Sequence, residues 1–384
     1  MEYDGQADSD TCAQEELSRL FQSSYGSVTS TTVAKKDTYC LHLAHDTTWD
    51  SVAVAMSDRS VAVLNGSTLQ NLFTFTPHEK SITGLKFSST SHNLIWTSSN
   101  EGLVKLWDAR SNKMEKEFVG KSEESAVTKP INSFDVSGNE KILCAGTELV
   151  QNGAYVLFWD IRGSEILGGY WDSHTDDITQ VKFHPSQPDT VATASTDGLI
   201  NVYDISQNSE DDALTYCMNA SVTIDKLAWM SQNGRYERLS GITDIHSLQY
   251  WDIKEASPLH KFSREEMTAA MRRKLHEECY LVSVDMPCVG EDPVILAGSG
   301  LENEASSCLR LLKLDLQSGR LQPYGMLISK QKQLMTRAAL YNKGTDSYIT
   351  AGECGVVRVW KRDEKEVVRK ETKAKHQKHR AKPY

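Results

Sequence analysis

The chain repeats itself. The clearest unit, HTDDITQVKFHPSQPDTVATASTDGLINVYD at 174–204, contains three short runs in which β-branched and polar residues alternate: ITQVKF, TVATAS and LINVYD. His184-Pro185 marks a turn after the first run, and Thr196-Asp197-Gly198 a turn before the last. Alternation interrupted by Asp-Gly predicts antiparallel hairpins. The unit returns at 78–108, 129–160 and 221–252, more weakly at 38–65 and 333–361, and most weakly at 279–315. The second position of the closing dyad holds Asn65, Asp108, Asp160, Asp204, Asp252, Asp315 and Lys361, at spacings of 43, 52, 44, 48, 63 and 46 residues. A period of this length constrains the fold more than any single residue, because each unit must bury its faces on its neighbours.

These units, with their Trp-Asp closures in GLVKLWDAR (102–110) and YVLFWDIR (155–162), resemble the WD-repeat family over roughly residues 25 to 361. The resemblance implies an all-β fold: a seven-bladed β-propeller whose blades are four-stranded antiparallel sheets. Blade seven has three strands after Leu334, so the stretch SSYGSVTSTT at 23–32 is expected to supply its fourth and close the ring. Closure hides the edge strands, and the chain is expected to be a monomer on its own.

In this family a His, Ser, acidic and Trp set forms a hydrogen-bonded relay through a blade. The resemblance places His78, Ser99, Glu101 and Trp107 in the relay of blade two, and His174, Ser195, Asp197 and Tyr203 in that of blade four. Blade seven has Gly352 and Cys354 where the serine and the acid would stand, so no relay is expected there. The His-Ser-Asp sets are not read as catalytic triads, since their spacing is the repeat's own and no nucleophile elbow is present.

Net charge is −10, unevenly distributed. Residues 361–384 hold ten Lys and Arg against four Asp and Glu, or +6. The preceding 360 hold 32 against 48, or −16. This predicts an acidic N-terminal segment at 1–22, with a short helix across TCAQEELSRLFQ, then a propeller at 23–361 and a basic, disordered tail at 362–384. Thr11 and Gln14 would cap the first helix, and Ala13, Leu17, Leu20 and Phe21 would form its apolar side. No apolar h-region opens the chain and no stretch approaches 18 uncharged apolar residues, so neither a secretory signal nor a membrane span is expected. An intracellular setting, nucleus or cytoplasm, follows as the expectation. The eight cysteines include no C-x-x-C pair and read as small buried thiols. No metal or cofactor is expected.

Function should reside in the insertions, turns and tail. SREEMTAAMRRKLHEE at 263–278 predicts a helix inserted between blades five and six, with a Ser263–Glu266 capping box. Its apolar stripe includes Met267 and Met271, which could pack on the body or present an adaptable partner-binding stripe. Asn100 and Thr196, in turns between strands, are further candidate partner contacts. Arg110 and Arg162 follow the Trp-Asp pairs of blades two and three. The resemblance implies that such WDxR arginines can dock on the damaged-DNA-binding adaptor of cullin ubiquitin ligases. The basic tail suggests a nuclear-localisation or polyanion-binding segment. VGKS at 119–122 mimics a phosphate loop, but Glu115 occupies its first-glycine position. The leading expectation is a non-catalytic protein-interaction scaffold. The alternatives are a ligase substrate receptor and a nuclear ribosome-assembly or nucleic-acid-associated factor.

Overall fold

The structure is a computed structural model that describes residues 14–34, 37–121, 128–150, 153–232, 234–286, 292–300, 309–329 and 335–363. The predicted strand runs form seven four-stranded antiparallel units, in six of which the strands lie side by side in chain order. Blade one comprises Cys40–His45, Ser51–Met56, Val61–Asn65 and Asn71–Phe75. Blade two comprises Ile82–Phe87, Leu94–Ser99, Leu103–Asp108 and Lys113–Val119. Blades three, four and five begin at Ile131–Val136, Ile178–Phe183 and Ile224–Gln232. Blade six begins at Cys279–Asp285 and ends with Arg320–Ile328, and blade seven begins at Thr336–Asn342. The first strand of blade one packs against that of blade seven, so the ring closes.

Closure follows the sequence expectation and adds to it. Ser23–Thr32 runs antiparallel to Val356–Arg362, with Ser27 opposite Trp360, and is the fourth strand of blade seven. Its first residues also pair in parallel with blade six, Ser23 opposite Gly325 and Gly26 opposite Ile328. Blades six and seven therefore form one eight-stranded sheet. Side chains hold the junction. The Tyr25 hydroxyl donates to Asp346 at 2.7 Å, and Arg362 donates to Asp346 and to the Ser23 hydroxyl, each at 2.9 Å.

The core is divided like the repeat. Seven apolar clusters occupy the seven junctions between adjacent blades. Leu143, Leu157 and Trp159 of blade three pack on Trp96 and Phe118 of blade two, while Cys144, Val156 and Phe158 pack on blade four. Each sheet is thus apolar on both faces, which is why the second strands are buried along nearly their whole length.

Two helical expectations need correction. The inserted α-helix spans Arg264–Ala270, not 263–278. Both halves of its capping box form: Glu266 N–H donates to Ser263 Oγ at 3.2 Å, and Ser263 N–H to the Glu266 carboxylate at 2.8 Å. It stops because Arg272 turns into the left-handed region at φ 60°, and His276–Glu278 resumes only as a 3-10 turn. Nor is it the one inserted α-helix: Ser209 caps a four-residue helix, Glu210–Ala213, that the sequence reading did not foresee, while the expected N-terminal helix forms over Gln14–Leu20. Leu17 and Phe21, just past the first helix, enter the cluster between blades five and six. The expected caps at Thr11 and Gln14, the contact by Ala13 and the tail beyond Asp363 lie outside the described residues and side chains. Strands run from Ser23 to Arg362. Of the described cysteines, Cys40, Cys144 and Cys279 are buried thiols; Cys217 is exposed and Cys354 half-buried, contrary to the uniform reading.

Candidate functional site

The relay is present in blades two and four, with a different hydroxyl. His174 Nδ1 lies 3.0 Å from the Asp197 carboxylate, and its Nε2 lies 2.7 Å from Thr193 Oγ1, not from Ser195. Likewise His78 bonds Glu101 through Nδ1 and Thr97 through Nε2, at 2.8 Å, not Ser99. Ser99 and Ser195 are turn braces: their Oγ atoms accept from Glu101 N–H at 3.2 Å and Asp197 N–H at 3.1 Å. Residues two apart on a strand share a face, so spacing could not separate Thr97 from Ser99 or Thr193 from Ser195. Tyr203 joins the blade-four network through Asn201, whose amide donates to the phenol oxygen at 3.1 Å. Trp107 does not join. It is half-buried, its ring centroid 5.4 Å from that of Phe75, and its indole N–H has no partner among the described residues. In blade seven half of the network survives, because Trp360 donates to Thr350 Oγ1 at 2.8 Å.

The titration directions fit a structural role. Burial holds His78 below the usual histidine range against the opposing pull of Glu101. Burial would raise Glu101, but bonds from His78 and from the Glu79 N–H outweigh it and hold the carboxyl low. The pair is therefore a neutral imidazole donating from Nδ1 to a carboxylate, with Nε2 accepting from Thr97. Every member is committed to another, and the network lies within the blade.

The two WDxR arginines differ in three dimensions. A blade whose strands run in chain order has its first and third turns at one end and its second turn at the other. Arg110 and Arg162, after third strands, thus lie on one face of the ring. Asn100 and Thr196, after second strands, lie on the opposite face, where the chain also passes between blades. Both arginine side chains are exposed. Arg162 folds back on Asp160, with Nε 3.0 Å from Oδ1 and Nη2 2.6 Å from Oδ2. Those bonds hold the Asp160 carboxyl at about 2. The Arg110 side chain makes no hydrogen bond or ion pair among the described residues and lines a cleft of about 440 Å³ between blades one and two. Trp159 is buried as expected, whereas Trp107 is not fully so.

The remaining candidates fare differently. Met267 and Met271 are 1% and 0% exposed, packed with Phe21 and Leu281 between blades five and six. They are core, and the partner-binding stripe is withdrawn: the helix is nine residues shorter than expected, and both methionines at its end turn inward. Thr196 is half-buried and bonded to the Asp177 carbonyl through its own N–H at 2.9 Å. Asn100 is half-buried, and its N–H donates to Ser81 O at 3.2 Å. Sequence reasoning missed the polar lining of the innermost strands. Lys86 pairs with Asp135, whose other oxygen accepts from Phe183 N–H at 2.8 Å. Lys226 of blade five reaches carbonyls of both blade six and blade seven, at Val282 (2.7 Å) and Arg337 (3.2 Å), so it ties the innermost strands of three consecutive blades. Burial, then the Lys182 charge, pulls His42 down to about 4. The available signal was the polar residue alternating with apolar ones in each first strand, as in ITQVKF.

Among the described residues, no group of three or more His, Cys, Asp or Glu is arranged to hold a metal, and no helix is long and apolar enough to cross a membrane. A closed ring of seven four-stranded blades braced by His–acid–hydroxyl relays defines a WD-repeat β-propeller. The family described as "Nucleolar protein 10-like, N-terminal domain" matches residues 17–243, and the chain belongs to it. An uncharacterized WD repeat-containing protein of Schizosaccharomyces pombe is 25% identical over 320 residues, covering 81% of this chain and 92% of that protein. WD repeat-containing protein GTS1 of Arabidopsis thaliana is 27% identical over 266 residues, 68% of this chain and 64% of that one. The WD repeat-containing protein 89 homolog of Dictyostelium discoideum is 25% identical over 267 residues, 70% of each chain.

Proposed function

We propose that this protein is a non-catalytic interaction scaffold that presents the turn-lined faces of a rigid propeller to other proteins. The observation that carries this reading is the contrast between inside and outside. The His–acid pairs are consumed within the blades. The outer surface, by contrast, offers an open cleft lined by an arginine whose side chain makes no hydrogen bond or ion pair among the described residues. The family's nucleolar description and the +6 charge of residues 361–384 support work in the nucleus, with the tail aiding accumulation there or contacting a polyanion. Affinity purification with mass spectrometry on the full chain, beside a form lacking 362–384, tests it. A reproducible set of partner proteins is expected, with weaker nuclear signal for the shortened form. Recovery of no partner by the full chain would remove the scaffold reading, and equal nuclear signal would remove the role of the tail. Tail contacts with a polyanion should also weaken steeply with added salt.

A second reading is favoured by one observation. Arg110 and Arg162 project from adjacent blades on the same face, as docking to a cullin-ligase adaptor would require. Arg162 must then leave Asp160, whereas the Arg110 side chain makes no hydrogen bond or ion pair among the described residues. Binding of the purified adaptor to wild type, but not to the Arg110→Ala, Arg162→Ala double variant, would support it. No binding by wild type would end it.

A further inference from the structure

The junction between blades one and two is built differently from that between blades two and three. In blade two, Lys116 stands opposite Leu106 on the outermost strand and reaches across to blade three, donating to Ile161 O at 2.5 Å and Arg162 O at 3.1 Å. Lys116 and the folded-back Arg162 together occupy that junction. The corresponding place in blade one, opposite Val63, is held by Phe73. A phenyl ring cannot donate across the gap, and the junction stays open as the 440 Å³ cleft. Its floor is apolar, with Phe73, Val63 and Phe87. Leu72 stands at the rim, 51% exposed. Arg110, His92, Asn93 and Asn112 belong to its polar lining, and among the described residues no carboxylate lines the cleft. Asp108, two residues before Arg110, accepts through Oδ1 from the N–H groups of Ser111 and Arg110, at 3.2 and 2.8 Å, and these bonds, then the Arg110 charge, hold its carboxyl low.

We infer that this cleft is a peptide-docking site. Its occupant is an extended segment of a partner protein with an aliphatic or phenyl side chain beside an aspartate or glutamate. The inference rests on the scaffold reading and names the chemistry of one partner. The volume lies within the range of sites that enclose small ligands, about 300–1,000 Å³. The apolar floor desolvates one side chain of the segment. The carboxylate meets a guanidinium that makes no ion pair among the described residues, and arginine suits such a contact through its planar, two-pronged geometry. The body's −16 does not cancel this attraction, because charges beyond about 8 Å are screened at physiological salt. Arg162, at the same place in the motif, forms no such site: its guanidinium is already paired and Lys116 donates across that junction to Ile161 O.

The test is selection of a phage-displayed random heptapeptide library on the immobilised full chain, followed by fluorescence anisotropy with the enriched heptapeptide. Enrichment of Asp or Glu within two positions of Leu, Ile, Met or Phe is expected. Arg110→Ala should weaken binding about tenfold. Leu72→Asp should weaken it at least as much, since it puts a carboxylate at the rim. Arg110→Lys should recover part of the loss, and Arg162→Ala should leave binding unchanged. Both Arg110 and Leu72 are exposed, so the variants should keep the wild-type unfolding midpoint. Enriched peptides without an acidic residue, no enrichment at all, or binding indifferent to both Arg110→Ala and Leu72→Asp would overturn the inference. The scaffold reading fails separately, on the absence of any partner in the affinity purification.

Discussion

Asp58 and Asp197 occupy the same place in the repeat, seven residues before the second position of the dyad, and the structure gives them opposite weight. The Asp197 side chain is 6% exposed. It accepts from His174 Nδ1 at 3.0 Å, from Thr175 N–H at 3.0 Å and from Leu199 N–H at 2.8 Å. Asp197→Ala strands all three donors. The buried imidazole N–H loses its partner outright, costing about 1–3 kcal/mol, and the two backbone groups lose charge-assisted bonds. Together they give a destabilisation of about 3 kcal/mol. Asp58 is exposed and, among the described residues, accepts from the backbone and hydroxyl of Ser60 alone. Asp58→Ala should therefore cost no more than about 0.5 kcal/mol. Urea unfolding measured by fluorescence separates the two. With a slope of about 3 kcal/mol/M, the Asp197 variant should unfold about 1 M earlier at unchanged slope, and the Asp58 variant at the wild-type midpoint. Equal midpoints for the two variants would refute the claim that relay membership, not repeat position, sets the energetics. A cycle pairing His174→Phe with Thr193→Val should show coupling, and the same cycle with Ser195→Ala should not.

Phe21→Ala, at a position 2% exposed between blades five and six, should destabilise by about 3–5 kcal/mol in the same unfolding assay. Gly102 has φ +84°, and an added Cβ would sit 2.2 Å from Thr128 Cγ2 and 2.6 Å from Lys129 O. Gly234 has φ +80° with nothing within 4 Å. Gly102→Ala should therefore lower the melting temperature well beyond Gly234→Ala, which carries only the backbone term of about 1–2 kcal/mol. Stability should fall on acidification from pH 6.5 toward 4. His42 is depressed to about 4 in the folded chain, His45, His78, His184 and His246 are also lowered, and the unfolded chain takes up those protons first. Asp285, raised to about 6, acts in the opposite sense, its contribution being lost as pH rises through 6. His42→Gln should flatten the acid limb of a plot of urea midpoint against pH.

What the sequence determined by itself was the architecture. Seven units at 43 to 63 residues, each alternating toward an aromatic-Asp closure, leave little besides a ring of blades, because a sheet apolar on both faces is stable only between two like sheets. The same logic located Ser23–Thr32, since a ring with one strand missing must borrow it. Local chemistry was legible too: the Ser263–Glu266 box started a helix where its residues said one would start. The tertiary structure decided whatever depends on which neighbour a side chain meets. Period-two alternation assigns a face, not a partner, so Thr193 rather than Ser195 holds His174. A helical stripe says that methionines share a side, not that Phe21, more than 240 residues away in the chain, will cover them. Two WDxR turns of the same pattern stand at unlike junctions, Phe73 in one blade where Lys116 stands in the next. That difference sets whether an arginine faces an open cleft or a filled junction, and it exists only once the blades lie side by side.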